Sequence, residues 1–147
     1  MRSALRYYLP AILWTAIVLA SSTDVFSSVH TFHWLVELLR DLFGRQPPEQ
    51  RVQVINFFWR KATHVVAYGL VGALWFRALR SDSAVRWTAR WSWQAIGLTA
   101  FFASVDEIHQ IFVPSRTASV FDVLLDVGGA SLAVVLIRVS QVLLFRA

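Results

Sequence analysis

Lys61, His64 and Tyr68 lie three and four residues apart, Asp106, Glu107, His109 and Gln110 fall in one short run, and Asp122 and Asp126 are one helical turn apart. On a helix the first spacing holds three side chains within about 60° of one another. They form one polar stripe. Asp106, His109 and Gln110 share a second face with Glu107 on its flank, and Asp122 and Asp126 begin a third that continues through Gly129 and Ala133. Small side chains there, and at Gly69 and Ala73, permit close helix approach. Lys61 and Arg116 are the groups expected to hold phosphate or carboxylate. Asp106, Glu107 and His109 are the expected acid-base or metal groups, oriented by His64 and Tyr68. Tyr68, Gln110, Asp122 and Asp126 complete the expected binding set. Asp106 is the expected reactive carboxylate, while Glu107 is expected to pair with a neighbouring helix through Lys61.

Four carboxylates against two certain cations leave an excess of negative charge. Protonated acids, a bound cation or a positively charged substrate would each balance it. A divalent metal is therefore one candidate cofactor, with Mg²⁺ and Mn²⁺ suited to oxygen ligands and Zn²⁺ to mixed ones. The opposing explanation is a buried network that only fastens helices together. His-Glu-x-x-His, P-loop, nucleotide-fingerprint and Gly-x-Ser-x-Gly motifs are absent, and there is no cysteine, so thiol and disulfide chemistry are excluded. Ser115, Thr117 and Ser119 follow Pro114 and are read as turn and capping residues, and His30 and His33 as exposed side chains.

These residues require apolar elements to carry them. In 147 residues, 56% are hydrophobic and 16% charged, with a mean hydropathy of +0.53, too apolar for a small water-soluble domain. Spans of about 20 apolar residues fit at about 7–22, 62–79, 93–113 and 120–145. The fold expected is an all-α membrane protein, a four-transmembrane-helix bundle in one domain over 1–147. The first run also has the features of a signal peptide, with Arg2 and Arg6 before it and Ala20 near its end, and is expected to be retained as a span. Between the first two spans, Trp34, Leu35, Leu38, Leu39, Leu42 and Phe43 repeat at helical spacing between Thr31 and Gly44, predicting a short interfacial helix. Pro47-Pro48 breaks the chain, and Val52, Ile55, Phe58 and Trp59 then run as a helical pattern into the second span.

The net charge is +5, and every cation but Lys61 is arginine. In a membrane chain that balance reports topology and anionic lipid, so nucleic acid is not an expected partner. Arg77, Arg80, Arg86 and Arg90 face one acid, Asp82, around the second connection, whereas the first connection offsets Arg40, Arg45, Arg51 and Arg60 with Asp24, Glu37, Asp41 and Glu49. The expected orientation places both termini and the 78–92 loop in the cytoplasm, with Trp87, Trp91 and Trp93 at that interface, and the ionisable cluster outside. The expected partner is membrane lipid or a lipid-linked envelope substrate, with a proton-coupled or small-solute transporter, or a non-catalytic scaffold, as the rival classes. The oligomeric state is left open.

Lys61-x-x-His64-x-x-x-Tyr68, Asp106-Glu107-x-x-Gln110-x-Phe112-x-Pro114-x-Arg116 and Asp122-x-x-x-Asp126-x-x-Gly129 resemble the VanZ-like membrane proteins over about residues 60–135. Trp14 and Ser21-Ser22 extend the resemblance to the first span. Arg60 stands where the family often has Asp, and Ser115 where it often has Gly. The resemblance implies a small multi-pass protein of the bacterial inner membrane and, through the family's name, a link to glycopeptide resistance.

Overall fold

The computed structural model describes residues 2–21, 28–45, 47–114, 116 and 118–144. These form five helices: α1 (Arg2–Ser21), α2 (Ser28–Phe43), α3 (Glu49–Arg80), α4 (Ala89–Gln110) and α5 (Val120–Leu144). Local chemistry sets their ends. Proline lacks an N–H, so α3 starts directly after Pro47-Pro48, where the Pro48 carbonyl accepts from the Arg51 and Val52 amides at 3.0 and 3.2 Å. The Thr88 hydroxyl caps α4 by accepting the Trp91 N–H at 3.3 Å. At its other end α4 stops at Gln110, earlier than the expected 113, because residues 111–113 tighten into turns ahead of Pro114. The Ser119 carbonyl starts α5 by accepting the Asp122 amide at 2.9 Å, in agreement with its reading as a turn and cap residue. Ser115 and Thr117 lie outside the described residues, as do Ser22 and Asp24.

The stretch expected at 62–79 is the second half of a continuous helix of 32 residues, about 48 Å long at 1.5 Å per residue. Its first turns bury Val52 and Asn56, whereas Ile55, Phe58 and Trp59 of the predicted stripe are exposed. The α2 helix packs against α3 and half-buries Leu35 and Leu39. Trp34, Leu38, Leu42 and Phe43 remain on its open side. Two of the six residues of the predicted apolar stripe thus meet protein and the other four face outward.

The partner residues define the topology. Tyr8 meets Trp75 edge-on and the Trp14 indole donates to the Ala67 carbonyl at 3.0 Å, so α1 runs antiparallel to α3. Lys61 meets Asp122, His64 meets Asp126 and Phe76 meets Val134, so α3 and α5 run parallel, with α4 packed on both. The start of α1, the 81–88 connection and the end of α5 consequently lie at one end of the bundle. Glu107, Ser119, Asp122 and the start of α5 lie at the other.

The distribution of side chains is inverted relative to a water-soluble bundle. Thr15, Asn56, Thr99, Asp106, Glu107, Gln110, Asp122 and Asp126 are buried, while Leu9, Ile12, Ile17, Leu70, Phe101, Leu132, Leu136 and Leu143 are exposed. An apolar exterior around a polar interior is the arrangement that lipid selects. By length and composition α3 and α5 are long and apolar enough to cross a membrane, and the apolar part of α1, Leu5–Ser21, is shorter.

Candidate functional site

The site is built on the α3/α5 contact. A Cβ on Gly129 would stand 2.5 Å from the Val65 carbonyl oxygen, and one on Gly72 would stand 2.7 Å from the Ala130 Cβ. Lipid supplies no hydrophobic force between helices, so this close backbone approach is what holds them. Gly129 and Gly69 were both predicted for this surface and face one another, a Cβ on Gly69 standing 3.3 Å from the Gly129 carbonyl oxygen; Gly72, one position before the expected Ala73, adds the contact with Ala130. The approach sets the charged residues above it face to face. Lys61 donates to Asp122, and His64 Nδ1 lies 3.1 and 3.4 Å from the two carboxylate oxygens of Asp126. With Nδ1 held, the His64 ring lies nearly parallel to Tyr68, 16° between planes with centroids 6.2 Å apart.

The α4 helix adds the remaining acids. Asp106 Oδ2 accepts from the Gln110 side chain at 3.2 Å, and Glu107 Oε2 accepts the Ser119 backbone N–H at 2.6 Å. The expected Glu107–Lys61 pair is not formed, because the glycine contact brings Asp122, not α4, beside Lys61. The Tyr68 hydroxyl and Asp106 Oδ1 are both buried without a hydrogen-bond partner among the described residues, and both residues border the same cavity. His109 is exposed, which corrects its expected place in the site. The buried face of α4 is centred between Asp106, Glu107 and Gln110, and at 100° per residue His109 lies about 110° from that centre.

Beside these pairs is an open cavity of about 270 Å³ bordered by α1, α2, α3, α4 and Arg116. His64, Tyr68, Asp106 and Arg116 of the predicted set line it. Lys61, Gln110, Asp122 and Asp126 stand behind that lining and hold it, and Glu107 ties α4 to the start of α5. Arg116 Nη2 donates to the Ser21 carbonyl at 3.3 Å, drawing the turn before α5 onto the end of α1. Trp14 and Ser21, the two described residues that carried the resemblance on the first span, thus both contact this region.

Arg60, Thr63, Trp59 and Thr31 also border the cavity and were not anticipated as site residues. Two rows of α3 carried the missing signal. Trp59, Thr63 and Ala67, and beside them Arg60, His64 and Tyr68, recur every four residues and form one continuous ridge. Arg60 makes no ion pair among the described residues.

The expected surplus of carboxylate charge is distributed over different partners: Asp122 to a lysine, Asp126 to a histidine, Asp106 to an amide and Glu107 to a backbone N–H. Among the described residues no three His, Asp or Glu side chains converge as metal ligands. The polar region ends at packed side chains. Below it lie Val18, Val71 and Ala103, then Phe76, Ala95 and Val134 with Trp75, Trp91 and Ile137 around them.

A family model described as VanZ/LLP1 matches residues 7–144. No curated protein and no solved structure matches the chain.

Proposed function

The chain belongs to the VanZ/LLP1 family of membrane proteins, and within that frame we propose that its cavity binds the anionic head group of an amphiphilic cell-envelope substrate. The observation that carries this reading is the pair of arginines on one cavity. Arg60 and Arg116 border it together with the hydroxyl residues Thr31 and Thr63, while each nearby carboxylate already has a protein partner. Guanidinium groups present planar sets of donors that match phosphate and carboxylate. Trp59, Val18 and Ala67 add apolar wall to the same cavity, as a ligand with a lipid tail requires.

His64 favours catalysis over binding alone. A histidine whose Nδ1 is held by a buried carboxylate presents Nε2 for proton transfer, and the ring itself borders the cavity. This reverses the expected roles: His64 becomes the acid-base group, and Asp106, which accepts from Gln110, borders the cavity beside Tyr68. A proton-coupled or solute transporter is the weaker reading, since a path through the bundle would cross the apolar packing around Val71, Phe76 and Val134.

The same reading has α1, α3, α4 and α5 crossing a bacterial inner membrane, α2 in the outer interface, and both termini in the cytoplasm. Arg77, Arg80, Arg86 and Arg90 at the bundle end shared with the chain termini support that orientation. The proposed link to glycopeptide resistance supplies a cellular assay.

Calorimetric titration of the detergent-solubilised chain with dihexanoyl phosphatidic acid, against uncharged dihexanoylglycerol, tests the head-group site. Saturable binding of the phosphate compound alone, lost in Arg60→Gln and in Arg116→Gln, is the expected result. Equal heats from both compounds would overturn it.

A further inference from the structure

A second cavity lies between α4 and α5 toward the opposite end of the bundle, about 400 Å³ in volume. Its walls are largely apolar, with Trp93, Ile96, Val134 and Val135 among them, and Trp87 and Arg138 also line it. The hydroxyls of its two serines are already used within their own helices. Ser92 donates to the Thr88 carbonyl at 3.2 Å and Ser131 to the Val127 carbonyl at 2.8 Å. The groove therefore offers an incoming molecule hydrocarbon along its length and one cationic group near one end.

Arg138 is that group. Its guanidinium lies 4.7 Å from the centroid of the Trp87 ring, and it makes no ion pair among the described residues. No acid lines the cavity. A cation–π contact holds one face of a guanidinium and leaves its N–H edge available to an anion. In an apolar surrounding such a charge calls for a counter-ion, and lipid phosphate is the abundant anion at that depth.

We propose that this groove is a binding site for one net-anionic glycerophospholipid of the bilayer, its phosphate at Arg138 and Trp87 and one acyl chain along Ile96, Val134 and Val135. From Val139 to Ser131 the groove extends about 12 Å along α5, long enough for part of a chain. Net charge selects among lipids. The adjoining 77–90 segment carries Arg77, Arg80, Arg86 and Arg90 against Asp82, a field that repels the ammonium of a zwitterionic head group and attracts one lacking it. The site is independent of the cavity at the other end, with which it shares no residue.

Trp93 is 72% exposed and lines the groove, so it can report on the occupant. The full chain is reconstituted in phosphatidylcholine nanodiscs containing a small fraction of brominated phosphatidylglycerol, or the same fraction of brominated phosphatidylcholine, and tryptophan quenching is compared. Preferential association by about fivefold is expected for the anionic lipid, the factor that one basic side chain near an anionic surface supplies. In the Arg116→Gln background, which silences the other cavity and its Trp59, the excess quenching should persist, disappear on adding Arg138→Gln and fall on adding Trp93→Phe. Equal quenching by the two lipids in the Arg116→Gln chain would overturn the proposal, as would an excess that survives Arg138→Gln in that background. An excess lost in Arg116→Gln but kept in Arg138→Gln would assign the lipid to the other cavity and also overturn it. If Arg138→Gln does not fold, Trp93→Phe decides, since an undiminished excess in that variant excludes this groove.

Discussion

His64 Nδ1 and the Asp126 carboxylate are joined at 3.1 Å between two parallel helices, with the Asp126 side chain 1% exposed. Replacing Asp126 by Asn keeps a hydrogen-bonding group of the same shape but removes the charge that fixes the ring. Binding of dihexanoyl phosphatidic acid should weaken by about tenfold, the difference between a charged and a neutral hydrogen-bond partner. The melting temperature should hold or rise, since an amide is easier to bury than a carboxylate. Unchanged binding would remove His64 from the site.

Lys61 and Asp122 should show the asymmetry of a half-buried ion pair, their side chains being 31% and 12% exposed. Lys61→Met leaves Asp122 uncompensated and should cost about 2–3 kcal/mol, below the value for a fully buried pair because water reaches the lysine. Adding Asp122→Asn should restore most of that loss. Thermal denaturation of both variants checks it, and a double variant no better than the single one would contradict it.

Glycine substitutions separate close helix contact from open space. Gly129→Ala would bring a methyl group 2.5 Å from the Val65 carbonyl oxygen, whereas Cβ atoms on Gly97 and Gly128 would meet nothing within 4 Å. Gly129→Ala should lower stability and weaken head-group binding together, because both charge pairs depend on that approach. Gly97→Ala and Gly128→Ala should be neutral or stabilising by about 0.5–1 kcal/mol through helix propensity. Melting curves of the three variants provide the comparison.

The two acids of α4 should separate by phenotype. Glu107→Ala strands the Ser119 N–H and should cost about 1–3 kcal/mol, whereas Glu107→Gln keeps an acceptor and should cost less. Asp106→Asn can still accept from Gln110 and should leave the melting temperature in place while reducing function in a resistance or envelope-stress assay. A fully functional Asp106→Asn would argue for simple helix fastening.

Because the chain contains no cysteine, a single introduced thiol reports topology unambiguously. In intact cells Pro114→Cys should react with an impermeant thiol reagent, and Ser83→Cys only after permeabilisation. The opposite labelling would place the head-group cavity on the cytoplasmic side.

Periodicity identified the polar stripe of α3, the paired aspartates of α5 and the small residues between them, because each is a property of one helix. It did not identify which stripe faces which. The rotation of α4 about its axis places His109 outward although it is only about 60° from Asp106, and the α3/α5 glycine contact gives Lys61 to Asp122 instead of Glu107. Arg60 was legible as a charge, and its place in the cavity follows only from the packing that sets Arg116 and Thr31 of α2 on the same cavity.

The parallel course of α3 and α5 has a consequence for register. Asp122 and Asp126 are the same residue type one turn apart, so sliding α5 by about 6 Å would present Asp126 to Lys61 in the same manner as Asp122. That slide would also set Ala130 opposite His64, so it would give up one of the two charge pairs. Gly129 opposes the same slide, since it would bring Ala133 to the Val65 backbone, where a side chain is excluded. Which aspartate belongs to the histidine is thus decided in part by a residue that carries no charge and no side chain.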